Sequence, residues 1–167
     1  LTAAGAKPRR TLRFILWSGE EQGLLGSHQY VVQHRTSMHR VAAVFNHDSG
    51  TNWAHALTVP ESQLADFYQI VQPIIDRMHA PQTDHQGLVF ELKSVPVLQP
   101  AGGGSDHASF GAVGVPAFGW GLEGEVPYGR GWHSQWDTIS IVVPQYQQHT
   151  ATVIAMVAFG VANLDHL

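Results

Sequence analysis

The chain has 167 residues, 44% hydrophobic and only 13% charged, which supplies enough apolar matter for a core and excludes a disordered composition. Nine basic against thirteen acidic residues give a formal charge of −4, which argues against a nucleic-acid binder driven by phosphate contacts. There is no cysteine, so disulfides, thiolate zinc sites and a cysteine nucleophile are excluded, and no apolar run approaches the roughly 20 residues of a spanning helix.

In chain order, residues 1–6 (LTAAGA) read as the frayed end of a helix stopped at Gly5, and residues 7–10 (KPRR) as a turn. Residues 11–17 (TLRFILW) form an apolar run with few turn formers, which predicts a buried strand. A short helix is predicted over 23–34, and a second buried strand over 41–45 (VAAVF) that runs into Asn46, His47, Asp48, Ser49 and Gly50. A third strand falls at 56–59. Residues 62–78 carry apolar groups at helical spacing, with Pro73 expected to kink the helix. An edge strand is predicted at 88–92, a flexible glycine loop at 101–105 (AGGGS), a fifth strand at 116–120, and a closing helix over 145–164. Strands alternate with helices, so the expected class is α/β with a mostly parallel sheet flanked by helices.

In such sheets ligands bind beyond the carboxyl ends of the strands. The first predicted strand ends in Ser18, Gly19, Glu20 and Glu21, and the second in Asp48. Two more polar clusters follow: Ser105, Asp106 and His107 after the glycine loop, and Trp132, His133 and Ser134 after the fifth strand. Carboxylates and imidazoles arriving from separate loops suit zinc, which takes histidine nitrogen and carboxylate oxygen at about 2.0–2.2 Å. Catalysis also needs a carboxylate that stays off the metal and takes a proton. Adjacent glutamates in a loop can divide those two roles. The glycine loop is not a phosphate cradle, because no G-K-[S/T] follows it.

The string FILWSGEEQGLLGS at 14–27 resembles the signature of the co-catalytic zinc exopeptidases, the secreted bacterial aminopeptidases and the related glutamate carboxypeptidases. Three further strings match that family in order: Asp48-Ser49-Gly50, then GGGSDHASF with Gly114-Val115-Pro116, then His133 with Asp137-Thr138. The resemblance implies Glu20 as general base and Glu21, Asp48 and His133 as zinc ligands, with two zinc ions in a complete domain. It implies a peptide substrate, and a secreted or periplasmic location. It also implies two earlier ligands, a histidine and a bridging aspartate, upstream of the strand before the glutamate pair. The ten residues before Thr11 contain no His or Asp. The whole span 1–167 is therefore expected to be a single, partial catalytic domain without the family's N-terminal strands. It is expected to bind zinc weakly alone and to self-associate through an uncovered sheet face.

Trp132 departs from the tyrosine that many of these aminopeptidases carry, and it resembles the glutaminyl cyclases of the same fold. Those enzymes lean on the aspartate matching Asp106. Asp106, His107 and Trp132 are accordingly expected to contact substrate, although Asp106 also suits the cap of a helix starting at His107. A cyclase, an inactive binding homologue and a two-carboxylate glycosidase using Glu20 and Asp48 are the competing readings. The glycosidase explains neither His133 nor the second glutamate.

Overall fold

The computed structural model describes residues 1–80, 87–98 and 104–167. Most of the predicted glycine loop, residues 101–103, and His85 lie outside them.

Among the described residues the α-helices and strands follow in the order α1 (Leu25–Gln33), β1 (Val44–Asn46), β2 (Trp53–Pro60), α2 (Leu64–His79), β3 (Glu91–Val95), α3 (His107–Gly111), β4 (Ala117–Glu123), α4 (Tyr128–Gly131) and α5 (Pro144–Asn163). The strands form one sheet in the order β1-β4-β2-β3. β1 with β4 and β2 with β3 run parallel, and β2 with β4 antiparallel, so the sheet is mixed. β3 lies at the edge, three residues later than its apolar run suggests. Its register begins where Ala56 faces Glu91, so backbone pairing rather than hydrophobicity sets its start.

Alternation along β1 and β4 divides the core. Phe45 and Phe118 turn toward one face, where Phe67, Val71 and Ile74 of α2 and Val153, Val157 and Val161 of α5 pack on Leu57, Val59 and Trp120. Val44 and Ala117 turn the other way, onto Val31 of α1, Met38, Phe110 of α3 and Val115. α2 continues through Pro73 as one helical span. The β2–β4 register slips between Ala54 and Ala56, and the backbone groups of Ala54 turn to α5. α5 satisfies them: the Thr150 hydroxyl accepts the Ala54 N–H at 2.8 Å, and His149 Nε2 lies 3.1 Å from its carbonyl. At the amino end, residues 2–4 form one 3-10 turn that ends on Gly5 at φ 68°.

One expectation fails. Residues 11–17 are not a buried strand: they join no ladder, and Phe14 and Leu16 are 85% and 99% exposed. A strand is stabilised by neighbours on its edges and faces. Here Trp17 is the apolar residue of the run that packs on the core, edge-on to Tyr30 at 5.3 Å and tilted against Phe110 at 5.8 Å. An apolar run carries the propensity for a strand but not the partner.

Candidate active-site cleft

The glutamate pair sits on a tight loop clamped to the start of α1. The Glu20 carbonyl accepts both the Gly23 and Leu24 N–H groups at 2.9 Å, Leu25 N–H reaches Gly19 O at 3.0 Å, and Gly26 N–H reaches Ser18 O at 2.9 Å. Glycine is required twice in this loop, at Gly19 (φ 69°) and Gly23 (φ 105°). Gly26 is required for space, because any Cβ there would lie 2.6 Å from the Ser18 carbonyl oxygen.

Asp48 follows the end of β1, and His133 follows α4. His133 adopts a left-handed backbone (φ 54°), which is uncommon without glycine and marks an over-determined position. The turn is held by Trp132 N–H to Tyr128 O and Ser134 N–H to Gly131 O, both 3.0 Å. The Trp132 indole stacks on the His133 ring at 4.3 Å, and Tyr128 stacks on Trp132 at 6.0 Å.

These loops enclose one cleft of about 460 Å³, lined by Glu20, Glu21, His47, Asp48, Tyr128, Trp132 and His133 among others. His133 Nε2 and Glu21 Oε2 are 2.8 Å apart, although 112 positions separate them in sequence. The Asp48 carboxylate accepts a hydrogen bond from the Ser105 hydroxyl. Negative charge accumulates here: the Glu20 carboxyl is held above its ordinary value, first by burial and then by the charges of Asp48, Glu21 and Asp106, with His133 opposing. The Tyr128 hydroxyl is raised by burial and then by the charges of Asp48, Glu21 and Glu20. Burial lowers both His47 and His107, which favours their neutral imidazoles.

Five of the seven sequence-derived site residues line the cleft or touch its lining: Glu20, Glu21, Asp48, Trp132 and His133. Asp106 and His107 do not line it. Asp106 is buried at the N-terminal position of α3, makes no side-chain cap bond, and leaves Oδ1 without a partner. His107 is turned toward Asn46, behind the wall, with 3.4 Å between its Nδ1 and the Asn46 amide nitrogen. Both follow Ser105 along the first turn of a five-residue helix, and their position on that helix, not their residue type, keeps them off the wall. Asn46 and Ser105 are not among the sequence-derived site residues, although Ser105 sits inside the GGGSDHASF string.

The donors fit zinc in kind. Imidazole nitrogen and carboxylate oxygen already meet at Glu21 and His133, and a third carboxylate stands on the same cleft. They do not complete a shell, because among the described residues no group of three His, Asp or Glu converges on one point.

The strand ends and loops of this α/β sheet thus deliver carboxylates and an imidazole into one cleft. The chain belongs to peptidase family M28, whose family model matches residues 1–158. It is 34% identical to a probable glutamate carboxypeptidase of Arabidopsis thaliana over 98% of this chain and 25% of that protein. It is 30% identical to mouse carboxypeptidase Q over 98% of this chain and 32% of the relative. Among solved structures, a zinc aminopeptidase from Bacillus subtilis superposes with a TM-score of 0.58 at 27% identity, over 92% of this chain and 36% of that one. A peptidase M28 precursor from Shewanella amazonensis shares the fold with a TM-score of 0.71 at 24% identity, covering 95% and 33%. The chain thus spans about a quarter to a third of the relatives it matches.

Proposed function

We propose that this chain is part of the catalytic domain of a zinc-dependent exopeptidase, with Glu20 as general base and Glu21, Asp48 and His133 as metal ligands. The observation that carries the reading is the 2.8 Å contact of Glu21 with His133 on the cleft that also holds Glu20 and Asp48. Family membership supports peptide as substrate, and the carboxypeptidase relatives weigh against the cyclase.

Two ions are expected in the complete domain, Glu21 and His133 serving one and Asp48 the other. Zinc, when bound, supplies a Lewis acid that polarises the scissile carbonyl and acidifies water. Glu20 stands beside these donors without being paired to His133. Its carboxylate takes the proton of the attacking water and delivers it to the leaving amine. The exposed faces of Trp132 and Tyr128 form an aromatic wall on which a substrate side chain rests.

A secreted or periplasmic location belongs to the same reading, as the resemblance to the secreted aminopeptidases implies. Among the described residues no helix is long and apolar enough to cross a membrane. Self-association, expected through an uncovered sheet face, is proposed instead through residues 14–16, which join no sheet and expose Phe14 and Leu16.

The test separates the two glutamates. Glu20→Gln keeps the shape but cannot accept a proton. It is expected to leave zinc content intact while peptide hydrolysis falls about 10²–10⁴-fold. Glu21→Gln is expected to lose zinc. Zinc measured by mass spectrometry alongside turnover decides it, and the reverse pattern of metal loss overturns the assignment.

A further inference from the structure

We infer that Asn52, with Thr51 beside it, is a positioning residue that ties the loop carrying His133 to the β1–β2 connection carrying Asp48. The inference rests on the reading of His133 as a metal ligand. The loop is residues 126–141, which bear Tyr128, Trp132 and His133. Both of its ends are bonded to these two consecutive residues.

At the first end, the Asn52 side-chain amide takes both backbone groups of one residue. Its nitrogen donates to the Val126 carbonyl at 2.9 Å, and its oxygen accepts the Val126 N–H at 3.1 Å. A paired strand residue does the same with its main chain. Trp53 faces Glu123 at the end of the β2–β4 ladder, so Asn52 stands one step beyond it and continues the pairing with a side chain. Gly124 makes the room, because a Cβ there would lie 2.7 Å from Asn52 Cγ. At the other end, the Thr51 hydroxyl donates to the Ile141 carbonyl at 3.2 Å. The Thr51 carbonyl in turn accepts the Gln147 side-chain amide of α5 at 2.6 Å.

A simpler role for Thr51 and Asn52 would be to shape their own turn. Their side-chain partners are 90 and 74 positions away, so neither side chain is spent locally. Between the two ties the loop's backbone bonds are short-range: Trp132 N–H to Tyr128, Ser134 N–H to Gly131 and Ile141 N–H to Thr138. Such bonds shape the loop without placing it on the molecule, and the ties place it. They set the Tyr128 ring against Gly50, where an added Cβ would lie 3.0 Å from Cδ2. They also set Ile141 against Gly131, where an added Cβ would lie 2.8 Å from Cδ1, two residues before His133. The left-handed backbone of His133 persists only where its surroundings over-determine it, and a loop held at both ends meets that condition. Asn52 therefore acts on the metal site through His133.

The experiment is a calorimetric titration of the purified chain with Zn²⁺ alone, comparing Asn52→Ala, Thr51→Val, Thr51→Ser and His133→Ala with the parent. Val71→Ala, in the buried core under α2, controls for lost stability away from the cleft. Asn52→Ala and Thr51→Val are expected to weaken zinc binding about 10-fold, the lower end of what supporting partners of metal ligands give. Thr51→Ser keeps the hydroxyl and is expected to retain the affinity, as is Val71→Ala. Equal loss in Val71→Ala and Asn52→Ala would show a general stability effect and overturn the inference. Unchanged affinity in Asn52→Ala with loss in His133→Ala would overturn the tie and leave the proposed function standing. Unchanged affinity in His133→Ala would remove His133 from the metal site and both readings with it. Limited trypsin digestion of the zinc-free chain, mapped by mass spectrometry, reads the loop directly, since Arg130 is exposed within it and Arg77 is exposed on α2. Cleavage after Arg130 is expected to speed up in Asn52→Ala while cleavage after Arg77 keeps its rate. Equal cleavage after Arg130 in parent and variant overturns the tie, and this readout decides it whether or not the chain takes up zinc. Should Asn52→Ala fail to fold, Thr51→Val carries both measurements with the same expected and refuting results.

Discussion

Gly26→Ala tests how closely α1 must approach the loop that bears Glu20 and Glu21. In an ordinary helix interior the change stabilises by about 1 kcal/mol. Here the new Cβ would lie 2.6 Å from the Ser18 carbonyl oxygen and 3.0 Å from the Ser18 nitrogen. Both are backbone atoms, so no rotamer change relieves the contact. Overpacking of this kind costs about 1–3 kcal/mol. The Gly26 N–H bond to the same Ser18 oxygen is stretched as the helix backs away, which forfeits up to about 1 kcal/mol more. The clash outweighs the propensity, and the net loss is about 1–3 kcal/mol. With a urea slope of about 2 kcal/mol/M, the unfolding midpoint falls by about 0.5–1.5 M. Gly129→Ala is the control: a Cβ there meets nothing within 4 Å, and stability is expected to stay within about 0.5 kcal/mol of the parent. Gly26→Ala is also expected to weaken zinc binding, since the displaced loop carries Glu21. A Gly26→Ala protein as stable as its parent would refute the argument.

Glu91 provides a pH test. Its carboxyl is held below the ordinary 4.5 by its hydrogen bond to Lys93, by the Lys93 charge and by His55. A depressed folded pKa adds stability above 4.5 and loses it as pH falls through the lower folded value, so the stability gap between parent and Glu91→Gln, read from urea midpoints, is expected to close only below pH 4.5. Leu16→Lys is expected to abolish concentration-dependent self-association in sedimentation velocity without changing zinc content. Identical sedimentation of the parent and the variant at all concentrations would dismiss residues 14–16 as the contact.

Much of the fold was legible because it rests on local pattern. Phe67, Val71 and Ile74 fall on one stripe of α2 whatever that helix packs against. Gly5 ends the first turn as its residue type suggests, whereas Gly23, read as the start of a helix, lies in the turn before α1 at φ 105°. The exopeptidase strings named Glu20, Glu21, Asp48 and His133 without any coordinates. The resemblance singled them out, and all four line one cleft.

Pairing was decided only in three dimensions. Residues 11–17 and 41–45 read alike as apolar runs, yet only the second contributes to a ladder, because only β1 has β4 beside it. His55 shows the same limit: one ring nitrogen meets Glu91 at 3.1 Å and the other meets Glu123 at 3.0 Å, across three strands, with no sequence signal for either. Asp106 and His107 sit in the family string but behind the cleft, since a helix turns successive side chains by about 100° and only the packing of α3 chooses which face the wall. Periodicity and chemistry act over a few residues and are written along the chain. The contact of Glu21 with His133 depends on where a sheet, two loops and a strained backbone come to rest, and that is a property of the packed molecule.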